Sequence, residues 1–270
     1  MIDRRALVDP LAATVRAAGA AILRVVEEGF AVEHKADDSP VTRADRAAEA
    51  VILAALRDLA PDVPVVAEEQ VEAGHIPAHG DRYFLVDPLD GTKEFVRGGE
   101  DYTVNIGLIE DGVPTFGVIH VPVSGATYAG VLGAGAWVER AGERRAIAVR
   151  ERSAKAMALT SKSHLTDETL RYVERACPEG HERLAIGSSL KFCLLAEGRA
   201  DIYPRLSPTM EWDTAAGHAI LLAAGGRIDG PDGAPLAYGK PRFFNPGFVA
   251  TSGWQPPAIG ALQRFDDAAG

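Results

Sequence analysis

The sequence predicts an α+β fold in two halves that meet near residue 150. Two observations carry this. Helical periodicity up to about residue 60 gives way to short apolar runs with hairpin signals up to about residue 140. After Arg150, strand-like and helix-like segments alternate. At 270 residues and 47% apolar, the chain can bury one large core or two small ones packed together.

The first predicted helix covers about 11–28, with Leu11, Val15, Ala18, Ile22 and Val25 on one face. Pro40 breaks the pattern within 37–41. A second helix covers about 44–59, and Thr42 with Asp45 has capping-box spacing at its start. Short apolar strands follow at 63–67, ending on Glu68-Glu69, and at 83–86, ending on Asp87. Residues 104–109 and 115–121 flank Asp111-Gly112 as a hairpin, and 126–132 with 136–139 continues a meander. The second half reads as a strand at 157–160, a helix at 166–176, a strand at 184–186 and a helix at 190–196. A strand at 200–203, a helix at 212–224 stopped by Gly225-Gly226, and a strand at 248–251 complete it.

Composition excludes several classes. The net charge of −10, with no basic patch, disfavours nucleic acid as a partner. An acidic chain can still bind an anionic substrate once metal ions invert the local field. Cys177 and Cys193 form no CxxC, so a reduced chain is expected. Residues 1–5 lack the apolar core of a signal peptide, and no apolar run approaches the roughly 20 residues of a membrane span. The expected location is the cytoplasm, with peripheral contact at the inner membrane left open. The histidines show no H-E-x-x-H spacing, and neither a nucleophile elbow nor a P-loop is present. Gly133-Ala134-Gly135 lacks the third glycine of a dinucleotide fingerprint and reads as a turn.

Three acidic constellations remain. In Asp87-Pro88-Leu89-Asp90-Gly91-Thr92, two carboxylates and the Leu89 carbonyl can converge on a hard cation such as Mg²⁺. The segment also reads as a strand followed by an ordinary Asp-Gly turn. Glu68-Glu69 closes an apolar strand, either as solvated acids or with one of them as a further ligand. Asp213, in Trp212-Asp213-Thr214-Ala215-Ala216-Gly217, opens a helix as a cap or as a ligand held at a helix N-terminus. His218 reads as a packed helix residue.

Together these motifs resemble the inositol monophosphatase superfamily over nearly the whole chain, as far as Asn245-Pro246-Gly247-Phe248. Within it, the sequence is most similar to the CysQ-type 3′(2′),5′-bisphosphate nucleotidase branch. Lys93-Glu94-Phe95 after Thr92 supports that branch, as do Ser161-Lys162-Ser163-His164, Gly187-Ser188-Ser189-Leu190-Lys191-Phe192-Cys193 and Tyr203-Pro204-Arg205.

The resemblance implies a layered αβαβα sandwich and a Mg²⁺-dependent, lithium-sensitive phosphatase with two to three Mg²⁺ per active site. Glu68, Asp87 and the Leu89 carbonyl would hold the first metal. Asp87, Asp90 and Asp213 would hold the second, and Glu68 would reach a third through water. Asp45 and Thr92 would orient and deprotonate the attacking water. Leu89, Asp90, Gly91 and Thr92, with Glu68 and Asp213, would contact the scissile phosphate. Ser188, Lys191, Arg205 and His164 would form the specificity side; Glu69 is not an expected ligand. Residues 1–150 would then carry most metal ligands and 151–270 would carry Asp213 and the specificity residues, within one compact catalytic unit.

The implied reaction is hydrolysis of 3′-phosphoadenosine 5′-phosphate to AMP and phosphate, with phosphoadenosine phosphosulfate as a second substrate, in sulfate assimilation. Alternatives are inositol-1-monophosphatase or fructose-1,6-bisphosphatase activity on the same fold, and a non-catalytic metal or nucleotide sensor. A monomer and a homodimer are both compatible with the sequence.

Overall fold

The computed structural model of the chain describes residues 3–34 and 40–260. Of the break expected within 37–41, residues 37–39 lie outside the described residues, as do the first two residues of the N-terminus.

Helix α1 (Val8–Glu28) begins three residues earlier than expected. Pro10 falls in its first turn, where a missing N–H costs nothing. The two-stranded ribbon of β1 (Val32–His34) and β2 (Pro40–Thr42) leads into α2 (Arg43–Leu59). The capping box at its start is formed: Ala44 N–H donates to Thr42 Oγ1 and Thr42 N–H to Asp45 Oδ2.

A mixed seven-stranded sheet follows in chain order: β3 (Val65–Ala67), β4 (Arg82–Asp90), β5 (Thr103–Glu110), β6 (Val113–Val121), β7 (Ala126–Val131), β8 (Gly135–Arg140) and β9 (Glu143–Ile147). Only the β3–β4 pairing within it is parallel. Two short helices, α3 (Glu68–Glu72) and α4 (Thr92–Val96), interrupt the strands. Edge strand β9 was not expected, because its exposed Glu-Arg-Arg opening carries no apolar alternation.

The second sheet has the order β11-β10-β12-β16-β14. Its strands are β10 (Ala156–Ser161), β11 (His181–Ile186), β12 (Ile202–Arg205), β14 (Arg227–Asp229) and β16 (Phe248–Thr251). A small ribbon pairs β13 (Thr209–Met210) with β15 (Phe244–Asn245). The helices are α5 (Asp167–Ala176), α6 (Leu190–Ala196) and α7 (Trp212–Ala223). The strand expected at 200–203 starts two residues later. Just before it, the Asp201 carboxylate accepts from Arg150 and from the N–H groups of Ser153 and Met157.

Alternation along the strands defines the layers. Phe84 and Val86 of β4 face the core under α1 and α2, whereas Tyr83 and Leu85 face Trp212 and Ala215 of α7. In the second sheet, Leu159, Tyr203 and Phe248 face α6 and α7, whereas Ala158, Ile202 and Val249 face Tyr172 and Val173 of α5. The order is therefore helices, sheet, helices, sheet, helix: an αβαβα sandwich. Helix α7, between two sheets, is buried nearly all round.

Three glycines seat α7. Gly107, Gly117 and Gly130 are direct neighbours across β5, β6 and β7. A Cβ on them would lie 2.8 Å from Ala215 Cβ, 2.2 Å from the Ala216 carbonyl oxygen and 2.6 Å from Ile220 Cα respectively. The helix thus lies along a row of bare backbone. Cys177 and Cys193 are both free and buried, in different cores. Among the described residues, no helix is long and apolar enough to cross a membrane.

Candidate active site

Strand β4 does not stop at Asp87 as expected; it runs on to Asp90 through an irregularity. Asp87 pairs with Asn105 and Asp90 with Thr103, so β4 spends three steps where β5 spends two. Pro88, with no N–H to give the ladder, occupies the bulge. Residues three apart on a regular strand point to opposite faces. The extra residue brings Asp87 and Asp90 to the same face, while the Leu89 side chain is buried in the core under α1 and α2. Gly91 then turns the chain with φ 94°, a left-handed backbone, and α4 starts at Thr92.

These residues open onto a cavity of about 300 Å³. Glu68, Asp87, Leu89, Asp90, Gly91, Thr92 and Asp213 line it, and so do His164, Ser188, Lys191 and Arg205. Every expected site residue except Asp45 therefore borders one space. Asp45 stands behind Thr92. Its Oδ2 accepts from the Thr42 N–H at 2.7 Å and the Thr42 hydroxyl at 2.8 Å, and its Oδ1 accepts from Thr92 Oγ1 at 3.3 Å. Capping and a link to Thr92 were competing readings of this residue, and its two oxygens satisfy both. Burial raises the Asp45 pKa above the usual carboxylate range, against the two Thr42 bonds. The Thr92 hydroxyl also lies 3.1 Å from the Leu89 carbonyl.

One wall is acidic. Asp90 and Asp213 come from β4 and the first turn of α7. Burial, and then the nearby Asp213, push Asp90 upward, and Lys191 and Arg205 only partly offset this. Two half-buried carboxylates with oxygen-only chemistry are what a hard divalent cation neutralises, so the donor set fits one. Among the described residues, no three acidic, histidine or cysteine side chains stand together as a formed ion cage. The acids accept from protein donors instead: Asp87 from the Leu89 N–H, Asp90 from the Ser189 N–H, and Asp213 from Met210 N–H and Thr209 Oγ1. A carboxylate has about four acceptor sites over two oxygens, so such bonds are compatible with ligation.

The other wall is basic. Lys191 is 2% exposed, which rules out a solvated helix residue. Its Nζ donates to the carbonyls of Ile186 and Ser188 at 3.0 and 2.5 Å and lies 5.1 Å from the centre of the Tyr203 ring. Burial lowers its pKa, and Asp90 opposes that. Arg205 donates from Nη2 to the Pro208 carbonyl, while its buried Nε has no hydrogen-bond partner. An orphaned guanidinium N–H at a cavity suits an anion. The pKa of His164 is lowered by the partial burial of its ring and then by Arg205 and Lys93, although the residue as a whole stays exposed.

Sequence reasoning did not single out Glu72 and Met210, which also line the cavity. Glu72 lies one turn after Glu68 on α3, a helix of only five residues whose period no sequence window resolves. Met210 lies on the two-residue strand β13.

The match to known proteins is extensive. Residues 3–263 match the Inositol monophosphatase family. The 3′(2′),5′-bisphosphate nucleotidase CysQ of Salmonella typhimurium is 48% identical over 240 residues, covering 87% of this chain and 96% of that protein. The crystal structure of CysQ from Bacteroides thetaiotaomicron, described as a bacterial member of the inositol monophosphatase family, superposes with a TM-score of 0.77 at 37% identity, covering 91% of this chain and 97% of that one. An inositol monophosphatase from Thermotoga maritima superposes at 0.74 with 27% identity, covering 91% and 92%. The layered sandwich, the acidic wall raised on a bulged strand and these matches lead to one conclusion: the chain belongs to the inositol monophosphatase family.

Proposed function

We propose that this chain hydrolyses the 3′-phosphate of 3′-phosphoadenosine 5′-phosphate, giving AMP and phosphate, and that it accepts phosphoadenosine phosphosulfate as well. The observation that carries the reading is the cavity itself, which gathers the acidic group, the basic group and Thr92, whose hydroxyl donates to Asp45, around one space. The relatives described as 3′(2′),5′-bisphosphate nucleotidases support the choice of substrate.

In this reading Glu68, Asp87, Asp90, Asp213 and the Leu89 carbonyl hold two to three Mg²⁺ ions, and Li⁺ inhibits. When bound, the ions supply Lewis-acid activation of water and charge neutralisation at the phosphate and the leaving oxygen. The chain's own groups do the rest. Thr92 Oγ1 takes the proton of the attacking water as its own passes to Asp45 Oδ1. Burial makes Asp45 a stronger base than an exposed carboxylate. The phosphorus–oxygen bond to the ribose breaks in line with the attack, and the ribose oxygen takes up a proton from a solvent water as it leaves, becoming the free hydroxyl. Lys191 and Arg205 hold the phosphate that is not cleaved. Residues 1–150 and 151–270 act as one catalytic unit in the cytoplasm, since the walls come from both sides of residue 150.

The test is phosphate release from 3′-phosphoadenosine 5′-phosphate, inositol 1-phosphate and fructose 1,6-bisphosphate, with Mg²⁺ and with added Li⁺. The nucleotide should win by well over about tenfold in kcat/KM. A preference for inositol phosphate would leave the acidic wall standing and overturn the roles of Lys191 and Arg205.

A further inference from the structure

We propose that Asp101, in the loop between α4 and β5, is a positioning residue that fixes the basic wall and thereby selects substrates carrying a second phosphate. The inference rests on the nucleotide reading above. One oxygen of Asp101, Oδ2, accepts from the Gly187 N–H at 3.1 Å and from Lys162 Nζ at 2.5 Å. The Asp101 side chain is 18% exposed and that of Lys162 is 47% exposed. A half-exposed lysine contributes little through its ion pair, so the bond to Gly187 is the one that matters.

The contact at Gly187 is backbone against backbone. A Cβ there would lie 2.6 Å from the Asp101 carbonyl oxygen, and a Cβ at Gly91 would lie 2.9 Å from the same oxygen. Asp101 is thus wedged between the glycine that precedes Thr92 and the turn that precedes Lys191. The next residue in that turn, Ser188, has φ 51°, a left-handed backbone that a non-glycine residue holds only when its surroundings impose it. The Ser188 carbonyl is one of the two anchors of Lys191 Nζ. Removing the Asp101 carboxylate releases Gly187 and Ser188, and with them the seat of Lys191.

Ser189 is held separately. Its hydroxyl bonds Thr103 Oγ1 and Asn105 Oδ1, both at 2.8 Å, and its N–H reaches Asp90. The acidic wall therefore keeps its link to α6 when Asp101 is lost, and the effect falls on binding of the remote phosphate rather than on turnover.

The experiment compares wild type, D101A, D101N and G187A on 3′-phosphoadenosine 5′-phosphate and on para-nitrophenyl phosphate, which has no second phosphate. In D101A, KM for the nucleotide should rise about tenfold with kcat within about threefold, and kcat/KM for the aryl phosphate should stay within about threefold. D101N keeps an acceptor for the Gly187 N–H and should recover most of the loss. G187A, which crowds the contact from the other side, should reproduce the substrate-selective loss whether or not D101A folds. A nucleotide KM within about twofold of wild type in D101A, or an equal loss on both substrates in D101A or G187A, overturns the proposal. A wild-type enzyme that shows no preference for the nucleotide sinks the proposed function instead.

Discussion

The acidic and basic walls of the cavity are built by different means. The acids sit where regular elements end: Glu68 after β3, Asp87 and Asp90 at a bulge in β4, and Asp213 in the first turn of α7. Glu68 and Asp213 follow from a strand end and a helix start, which short motifs encode, whereas Asp87 and Asp90 share a face through the bulge. The basic wall hangs on irregular backbone. Lys191 is folded back onto two carbonyls of the turn before it, and Arg205 leaves β12 with a buried Nε unpaired. Burial and the nearby Asp213 raise Asp90, so the acidic wall works against its own charge; in the proposed function a cation relieves that and the basic wall seats the phosphate that is not cleaved.

Variants that strike only one wall sharpen this contrast. The largest effect belongs to the acids. Asp90→Asn and Asp213→Asn should each lower kcat at least about a thousandfold with every substrate, and circular dichroism should find the fold intact. Near-normal turnover in either would remove that residue from the cation site. Next comes the pair between the walls. Thr92→Ala should cost about a hundred- to a thousandfold in kcat with little change in KM, measured under saturating Mg²⁺. Asp45→Asn should match it and also lower the melting temperature, since that carboxylate completes the helix cap.

On the basic wall, Lys191→Met keeps the buried volume and removes the charge. It should reduce kcat/KM for the bisphosphate nucleotide about tenfold or more, about 1.4 kcal/mol, and that for para-nitrophenyl phosphate far less. Equal losses would erase the distinction between the walls.

The smallest effect leaves both walls alone. His120, packed against Gly19 and bonded to Thr127, is lowered to about 4 by burial and then by Arg16. Below pH 6.5 the unfolded chain takes up this proton and the folded chain does not, so stability falls from pH 6.5 down to about 4 and the contribution then levels off. The total is up to about 3 kcal/mol. In urea titrations, His120→Asn should flatten that part of the profile while the nucleotide preference stays unchanged.

The contrast also explains what was legible in the sequence. The helix after Thr42, the hairpin about Asp111-Gly112 and the acids of the Asp87–Thr92 segment follow from local patterns of period and turn chemistry. The bulge that brings Asp87 and Asp90 to one face does not, because a proline and a spacing of three do not specify how the partner strand pairs. The burial of Lys191 does not either: in a seven-residue helix a lone lysine reads as solvated, and only the turn wrapped around its Nζ shows otherwise. Helices α3 and α4, at five residues each, are too short for periodicity to register.

The row of Gly107, Gly117 and Gly130 reaches beyond packing. Asp213 rides on a helix whose height above the sheet is set by bare glycine backbone against its main chain and alanine methyls, not by large side chains that differ in size and can re-pack. The fourth acid is therefore gauged to the other three by peptide geometry, which does not vary with sequence. Substitutions can accumulate in the surrounding cores without changing the calibration of the site, whereas a single methyl group added in that row would shim the helix outward and detune it.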